Sequence, residues 1–504
     1  MAKYKTTEAA AGQGLFLEVS LKEQLIPNTF EYMLNELIGT KIDVSNFDNK
    51  YRNDKTGASA IPPVILLKLI IYAYKKGIKS SRGIWELNRN NIAAKALTGD
   101  MNIHWTKIAD FISENSEAFN EVFVQALYYC NELGLIGGED YAVDGVRLPS
   151  NASIDESGTQ EELEKRLETY RRMSSKHIER HLKKDAEGEV GPEDKEKFKK
   201  RQEHINRRIE KLEGFLKTMK KKTGKGGEEI KSNVTDNDSA MIHSSKGYIQ
   251  GYIGMAVSDS KNQIITGALA AGSANEGEHM PEILEKHIEN IREAGVKDSK
   301  DGRMPTFMGD ANYFSEENLK ACEEHGVEAI IPDGYEKQRI NMQGEKRYEL
   351  NDFKYNETKD YYECPQEKKM EYKGKIAQKN AKGKVYQASL SDCKICPNFS
   401  KCSWSKKEQS GLKQGKKLII TEKNNNDSYC RKMREKLATE EYQVKYAYRI
   451  QIIEPVFANI RYCKGLNRFT LRGKQKVNGQ WLLYCMVHNL GKCLNEYNKR
   501  RKTA

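Results

Sequence analysis

The sequence predicts an α/β protein in which helices flank a mixed sheet, and three patterns along the chain support this fold class. Apolar residues recur at helical spacing from about residue 15 to residue 135. A short apolar run at residues 141–145 then ends in Asp-Gly, as a buried strand entering a turn does. From residue 248 to residue 331, strand-like runs alternate with helical segments, which implies at least one parallel crossover.

Length and composition bound the class of protein. With 504 residues the chain exceeds one ordinary hydrophobic core, so roughly two to four structural units are expected. A net charge of +12 favours an extended anionic partner such as nucleic acid, although many basic proteins bind none. No run approaches the ~18 apolar residues of a membrane span, and the first residues lack the apolar stretch of a secretory signal. A cytoplasmic protein without a membrane partner is therefore expected.

Residues 1–137 are predicted to form an all-helical N-terminal domain. A Pro-Pro pair at 62–63 opens a helix, Gly77 ends it, and a Ser-Ser pair at 80–81 can cap the next one. Several short helices separated by brief turns are typical of helix-turn-helix modules that bind DNA. A helical bundle that only packs fits the same pattern, so both interpretations stay open.

The rest of the chain is predicted to be an α/β core of residues 138–332 and 437–498 with two insertions. Residues 155–231 carry two apolar stripes on a highly charged background, which predicts an antiparallel helical hairpin inserted into the core. Its second arm is rich in Lys and Arg and could follow a DNA backbone, while a solvated coiled-coil face explains the same charges. Residues 333–436 are predicted to be a β-rich insertion, and residues 499–504 a basic tail.

Two aspartates lie at predicted strand ends of this core. Asp144 falls within or just after the first strand, and Asp310 lies just beyond the strand at 305–309. Open α/β sheets commonly build their sites at such ends, because the loop frees a side chain to face a ligand. Paired carboxylates suit Mg²⁺, which prefers hard oxygen ligands, but a single Asp after a strand is more often a turn former or a helix cap. The pair alone supports no function.

Several stretches resemble the DDE transposases of bacterial insertion sequences, and the similarity extends over most of the chain. The stretches that match the family's N-terminal helical region are residues 62–63, 66–72, 76–78 and 80–82. Asp144-Gly145 with residues 151–153 (NAS) is similar to the segment of the family's first catalytic aspartate, and residues 309–315 (GDANYFS) to that of the second. Residues 449–457 (RIQIIEPVF) resemble the third segment, and residues 467–469, 471–473 and 488–490 follow in the expected order. This order and spacing make the resemblance specific.

The resemblance implies an RNase H-like catalytic core in a transposase that binds the terminal inverted repeats of its element. Strand cleavage by metal-activated water would precede strand transfer, with Mg²⁺ or Mn²⁺ as cofactor. The implied catalytic and metal-binding residues are Asp144, Asp310 and Glu454. The candidates for binding DNA near the scissile phosphate are Tyr446, Arg449, Arg461 and Arg472. The implied partners are double-stranded DNA, at transposon ends and at the target, and a second copy of the chain on the bacterial nucleoid.

The segment around the third acidic residue departs from the family's pattern of Tyr, two residues, Arg, three residues, Glu, six residues, Lys. Here four residues separate Arg449 from Glu454, and Arg461 replaces the Lys. Since each helical residue turns the chain by ~100°, the extra position could turn Arg449 away from its usual partner. Pro455 disfavours helix at Glu454, so a kink or a fresh helix start is expected there. A glutamate that only caps the following helix is the alternative interpretation.

Four cysteines fall in the β-rich insertion: Cys364, Cys393, Cys396 and Cys402. Thiolates at such spacings can hold tetrahedral Zn²⁺ and would stiffen a segment with little apolar core. The gap after Cys364 is long, however, so structural zinc and reduced, unliganded cysteines both stay open.

Two other functions share parts of this pattern. A host DNA nuclease with an RNase H-like core would hydrolyse DNA without joining strands. A catalytically silent DNA-binding protein descended from a transposase would not need three carboxylates, and their retention argues against it.

Overall fold

The computed structural model describes residues 20–50, 60–187, 191–224, 226–244, 247–297, 302–334, 347–378, 381–402, 409–421 and 428–503. These ranges contain fifteen α-helices and fifteen β-strands. No helix among them is both long enough and apolar enough to span a membrane.

Helices make up the N-terminal region, as the sequence predicts. They are α1 Phe30–Leu37, α2 Pro63–Lys75, α3 Ser81–Asn90, α4 Ile92–Thr98, α5 Trp105–Glu114 and α6 Ser116–Glu132. Gly77, with φ of +78°, follows the end of α2, and the Ser80 side chain accepts a hydrogen bond from Gly83 N at the start of α3. The predicted helix end and helix cap are therefore confirmed.

A six-stranded mixed sheet forms the centre of the molecule. Its strands are β1 Asp140–Pro149, β6 Ala240–Ser244, β7 Gly247–Asp259, β8 Ile265–Ala271, β9 Thr306–Met308 and β10 Glu328–Ile330. β1 pairs antiparallel with β7 and parallel with β9, and β9 pairs parallel with β10. β6 and β8 both pair with β7, antiparallel to it. The mixed α/β class is therefore confirmed, including its parallel crossover.

A long helical hairpin leaves the core after β1, as predicted. It consists of α7 Gln160–Ala186 and α8 Pro192–Thr218, and the short strands beside it are β2 Ser157–Gly158, β3 Lys222–Thr223, β4 Glu229–Ile230 and β5 Ser232–Asn233. The Thr159 side chain caps α7 in a reciprocal capping box with Glu162. Leu163, Leu167 and Leu212 form a small apolar core where the two helices leave the sheet.

A second sheet follows the core strands and confirms the predicted β-rich character of this region. Its five antiparallel strands are β11 Lys354–Asn356, β12 Tyr361–Glu363, β13 Lys369–Gln378, β14 Ala381–Ala388 and β15 Lys417–Thr421. The remaining helices are α9 Met280–Glu293, α10 Glu316–Glu324, α11 Leu390–Lys394, α12 Phe399–Cys402, α13 Tyr429–Leu437, α14 Glu440–Ala458 and α15 Lys474–Thr503. A π-helical turn, Asn459–Cys463, follows α14 directly. The basic residues 499–502 belong to the last turns of α15.

Apolar cores cover both faces of the central sheet. The larger core joins the N-terminal helices, one sheet face, α14 and α15. In it, the buried Trp481 of α15 donates from Nε1 to Met255 O of β7 at 2.8 Å. The smaller core packs α9 and α10 on the opposite face. The N-terminal helices thus share one continuous core with the central sheet in the described residues. This core extends across residue 137, where the N-terminal domain is predicted to end.

Candidate active site

Two aspartates meet on adjacent strands in the middle of the central sheet. The last pair between β1 and β9 joins Ala142 and Met308. Two residues further along, Asp144 and Asp310 therefore lie level with each other at the point where β9 ends. The backbone N–H of Asn312 donates to Asp310 Oδ1 at 2.9 Å and fixes the turn that follows. The structure brings these two predicted residues together.

Glu276, a carboxylate that the sequence interpretation missed, lies beside them in the turn that precedes α9. Its side chain is almost fully buried, with 4% relative exposure. The amide nitrogen of Asn312 donates both to Glu276 Oε1 at 2.8 Å and to Asp310 Oδ2 at 3.0 Å. Arg147 Nη2 lies 3.5 Å from Glu276 Oε1. Glu276 Oε2 is buried without a hydrogen-bond partner in the described part of the chain, which is a costly state for a carboxylate oxygen.

Gly145, the residue after Asp144, creates the room for this carboxylate. A Cβ atom at residue 145 would lie 2.4 Å from Glu276 Oε2 and 2.6 Å from the Ile253 side chain. Any other residue would push Glu276 out of its place or open the sheet. The predicted strand end at this Asp-Gly pair is wrong, because β1 continues to Pro149. The pair instead contributes an acid and the space for a second one.

Burial and the repulsion between carboxylates raise the pKa values of Glu276 and Asp144. Burial raises the pKa of Glu276 to about 7, and the charges of Asp310 and Asp144 contribute to the rise. Burial likewise raises the pKa of Asp144, while Arg449 opposes the rise and Asp310 adds to it. The pKa of the buried Tyr313 hydroxyl is raised by burial and then by the same three carboxylates. Acids gathered in this way are typical of functional sites and attract cations.

Arg449 is already paired with the cluster. Its Nη2 donates to Asp144 Oδ2 at 2.7 Å, and its side chain is only 8% exposed. Arg449 shares the buried face of α14 with Ile452, Ile453 and Val456. The extra residue before Glu454 therefore leaves Arg449 facing the sheet, where Asp144 is its partner.

Glu454 is exposed, and the structure does not bring it to the aspartates. Glu454 lies five positions after Arg449 on α14, which corresponds to ~7.5 Å along the helix axis and ~140° around it. Since Arg449 faces Asp144, Glu454 faces away from the sheet in this conformation. Its role as third metal ligand stays a prediction.

The expected fresh helix start at Glu454 is wrong, because α14 continues through Pro455 to Ala458, and a kink there stays a prediction. Proline lacks the N–H that would bond the carbonyl four residues earlier, which here belongs to Gln451. The side chain of Gln263, in the β7–β8 turn, donates to that carbonyl at 3.0 Å instead. A tertiary contact thus replaces the lost helical hydrogen bond.

The other candidates for DNA binding lie along the same C-terminal segment. Tyr446 is half-buried against the larger core. Arg461 is exposed on the π-helical turn, 5.8 Å from the centre of the Tyr462 ring. Arg472 is exposed and donates from Nε to Asn151 O at 2.8 Å. Their contact with DNA stays a prediction.

The three carboxylates fit a divalent metal chemically, although they are not yet arranged around one. Carboxylate oxygens are preferred ligands of Mg²⁺, and Glu276 Oε2 has no other described partner. Within the described ranges, no three His, Cys, Asp or Glu side chains are positioned to hold a metal ion. Arg449 balances the charge of Asp144 instead. Metal binding therefore requires the carboxylates to approach one another and Arg449 to move.

The structure also gathers the four cysteines of the β-rich region, which line one cavity together. Burial raises the pKa of Cys402 to about 11, and the other three thiols add to the rise. Backbone N–H groups approach two sulfurs: Lys416 N donates to Cys393 Sγ at 3.3 Å, and Lys368 N to Cys364 Sγ at 3.4 Å. Four sulfurs with such donors suit zinc, although they are not in a coordinating arrangement in the described structure.

Two family models match separate parts of the chain. One is described as a transposase DDE domain and matches residues 363–494, which include Arg449 and Glu454. The other is described as a transposase domain (DUF772) and matches residues 19–114, which include the first helices. Asp144 and Asp310 lie between the two matched regions. A comparison with curated proteins found no match.

Both models describe transposase domains, and one of them describes the DDE domain itself. Transposases of this type act on DNA and generally use a divalent metal, which suits the carboxylate cluster. The two matches together support a DDE-type transposase of an insertion element.

Proposed function

We propose that the protein binds the terminal inverted repeats of its element, cleaves a DNA strand there and transfers the freed 3′ end to another phosphodiester. The observation that carries this proposal is the meeting of Asp144, Asp310 and Glu276 around Gly145 in the central sheet. The family supports transposition, and the cluster offers the hard ligands that metal-dependent phosphoryl transfer needs.

In this proposal Asp144 and Asp310 hold the divalent metal, and Glu276 is the third carboxylate in the DNA-free protein. Bound Mg²⁺ or Mn²⁺ supplies Lewis-acid activation of the attacking hydroxyl and stabilises the leaving oxygen. Asn312 keeps Glu276 beside Asp310 through its shared amide. Arg449 holds Asp144 in place until a metal ion displaces it, and its planar donors then suit a backbone phosphate of the bound DNA.

Glu454, the third ligand that the resemblance implies, enters the site in this proposal only when DNA is bound. Two features make α14 adaptable near this residue. Pro455 has already cost the helix one hydrogen bond, and a π-helical turn follows at Asn459–Cys463, a feature common at functional sites. Departure of Arg449 from Asp144 would remove one of the contacts that hold α14 against the sheet, so Glu454 could turn inward.

The sheet supports an RNase H-like core for residues 138–332 and 437–498. Antiparallel β1, β7 and β8 are followed by parallel β9 and β10, with helices on both faces. The two aspartates lie at the adjacent strands β1 and β9. We further propose that the chain contains a helical DNA-binding domain at residues 1–137, a hairpin at 155–231, a β-rich insertion at 333–436 and a basic tail at 499–504. Tyr446, Arg461 and Arg472 are proposed to contact DNA near the cleaved phosphate.

A structural zinc ion held by Cys364, Cys393, Cys396 and Cys402 completes the proposal. The second sheet has a small apolar core of five buried side chains in the described structure. A small core of this kind commonly needs a metal or disulfide to hold it. The shared cavity and the two N–H groups directed at sulfur support zinc over unliganded thiols.

Replacement of Asp144 by Asn tests the proposed activity. The substrate is a duplex with the sequences that flank the gene, and cleavage, binding and strand joining are measured in the same samples. We expect D144N to bind this duplex like the wild type and to cut none of it. Asp140→Asn, on the same strand, is the matched control and should cut normally. Full cleavage by D144N would contradict the proposal.

The same assay separates the two alternative functions. A host nuclease would cleave the duplex but form no joined product, and a silent DNA-binding protein would bind it without cleavage. Because two ends must be joined at one place, we further propose that a homodimer acts on DNA. The mass of the protein–DNA complex in solution tests this point.

A further inference from the structure

A basic cleft lies on the side of the central sheet to which Asp144 points. It has a volume of about 460 Å³ and lies between the β7–β8 turn and α15. Lys261 and Gln263 line it from the turn, and Lys492 and Lys499 line it from the helix. Lys492 Nζ donates to Gln263 Oε1 at 2.8 Å, so the side chains of the two walls are in contact.

Two further lysines stand close to this cleft. Lys75 Nζ lies 3.5 Å from the position of a Cβ on Gly491, the residue before Lys492. Lys464 is almost fully buried, with 3% relative exposure, and its ammonium group donates to the Asn459 side chain. Burial lowers the pKa of Lys464 to about 8, and the positive charges of Lys75 and Lys492 add to this effect. The lysines therefore act on one another as like charges.

Two acidic residues lie at the cleft: Glu496 lines it beside Lys499, and Asp259 is near enough for its charge to attract that of Lys261. No carboxylate of the described residues lies within 4 Å of the ammonium groups of Lys75, Lys261, Lys464 or Lys492. Glu496 of α15 pairs instead with Lys499 at 3.2 Å and with Arg500 at 3.9 Å. Asp259 accepts hydrogen bonds from the backbone N–H groups of residues 137, 138 and 261. Lys75, Lys464 and Lys492 thus gather like charges with no carboxylate of the described residues within 4 Å, which costs stability, so the cluster indicates an anionic ligand.

We propose that this cleft binds a backbone phosphate of duplex DNA, with Lys261 and Lys492 as the direct contacts. The inference rests on the proposed DNA substrate. Lys75 and Lys464 strengthen the positive field around the phosphate. Ammonium groups bind phosphate oxygens as point charges and read no bases. The cleft therefore positions the DNA and does not select its sequence.

The position of the cleft suits a duplex that also reaches the acidic cluster. Ser260 N donates to Asp140 O at 3.0 Å, so the β7–β8 turn lies level with Asp140 on β1. Four strand residues, or ~13 Å, separate that level from Asp144. For a duplex whose axis runs along β1, with an axial rise of ~3.4 Å per base pair, the phosphate in the cleft would lie about four base pairs from the phosphate at Asp144.

The salt dependence of DNA binding tests this inference. Binding of the full chain to a duplex of mixed sequence, about 30 base pairs long, is measured by fluorescence anisotropy without added divalent metal at several salt concentrations. Each lost phosphate contact should reduce the slope of log K against log salt by about 0.9. The variant Lys261→Gln/Lys492→Gln loses the one phosphate contact of the cleft and should therefore lose about 0.9 of the slope. Lys286→Gln/Lys320→Gln removes the same charge from α9 and α10 and should keep the wild-type slope.

The outcomes separate this inference from the proposed function. If the wild type binds no DNA, both the proposed function and the inference about the cleft are wrong. If the wild type binds and the double variant keeps both affinity and slope, the inference about the cleft is overturned alone. Thermal melting checks the fold of each variant. Should the double variant unfold, Lys492→Gln alone carries the test, and an unchanged slope overturns the inference equally.

Discussion

Arg449 on α14 donates a 2.7 Å hydrogen bond to Asp144 on β1, although 305 residues of sequence separate the two. The pair ties the C-terminal helical segment to the central strand. The guanidinium group of Arg449 and an incoming metal ion therefore compete for the Asp144 carboxylate. In the DNA-free protein, Arg449 therefore has two effects: it stabilises the fold and it opposes metal binding at Asp144.

Replacement of Arg449 by Ala should separate these two effects. The variant should lose about 1–3 kcal/mol of unfolding free energy, because Asp144 keeps its burial and loses its charged partner. Added Mn²⁺ should raise the melting temperature of R449A more than that of the wild type, because the metal replaces the missing charge. Arg171→Ala, which breaks an exposed pair with Glu213, should cost less than about 1 kcal/mol. A smaller Mn²⁺ effect in R449A than in the wild type would contradict competition for Asp144.

Glu276 should contribute to metal binding in the DNA-free protein, whereas Glu454 should contribute only when DNA is bound. In the DNA-free protein, Glu276→Gln should weaken Mn²⁺ binding by about tenfold or more, because one of three clustered carboxylates loses its charge. Glu454→Gln should leave this affinity unchanged, since Glu454 is exposed and turned away, yet it should abolish cleavage of DNA. Calorimetric titration with Mn²⁺ and a cleavage assay measure the two effects. Equal metal affinity in E276Q and the wild type would remove Glu276 from the site.

The cysteine cluster should contain zinc in the purified protein. Metal analysis should find about one zinc ion per chain, as a site of four thiols predicts. Cys393→Ser should lower both the zinc content and the melting temperature, whereas Cys463→Ser, at an exposed cysteine outside the cluster, should change neither. Protein without zinc, and with the same stability in chelator, would show that these cysteines are reduced and unliganded.

His287 should make the protein sensitive to acid. It is fully buried between Tyr141 and Phe307, and neither ring nitrogen has a hydrogen-bond partner in the described structure. Burial lowers the pKa of His287 to about 3. The folded state then binds fewer protons than the unfolded state, whose His pKa is about 6.5. Its contribution is therefore complete above pH ~6.5 and is lost as the pH falls from there towards 3.

His287→Leu should remove this part of the pH dependence. Between pH 6.5 and pH 5 the wild type should lose about 2 kcal/mol more unfolding free energy than the variant. Chemical unfolding at several pH values measures the difference. Parallel stability curves for the two proteins would mean that His287 is not the acid-sensitive group.

Local patterns were enough to predict the elements that carry the two aspartates. The apolar run before Asp144 and the strand before Asp310 follow from residue type alone, and adjacent strand ends are a common place for a site. Their register could not be predicted, because it depends on the parallel pairing of β1 with β9. The helical hairpin was predictable for the same reason as the strands: its apolar stripes repeat at helical spacing.

Glu276 and Pro455 show what local patterns leave out. An acidic residue shortly before a helix usually acts as a cap. Glu276 is instead a buried member of the cluster, because Gly145 on β1 leaves space for its side chain. Proline usually disturbs a helix, but here Gln263 from a distant turn satisfies the carbonyl that the proline leaves unpaired. Both outcomes depend on residues far away in the sequence.

Anomalous diffraction from crystals of the full chain soaked in Mn²⁺ tests the central claim most directly. We predict a manganese peak between Asp144 and Asp310, with Glu276 as a further ligand and with Arg449 displaced from Asp144. No peak at this cluster, at a Mn²⁺ concentration that supports full DNA cleavage, would contradict the account.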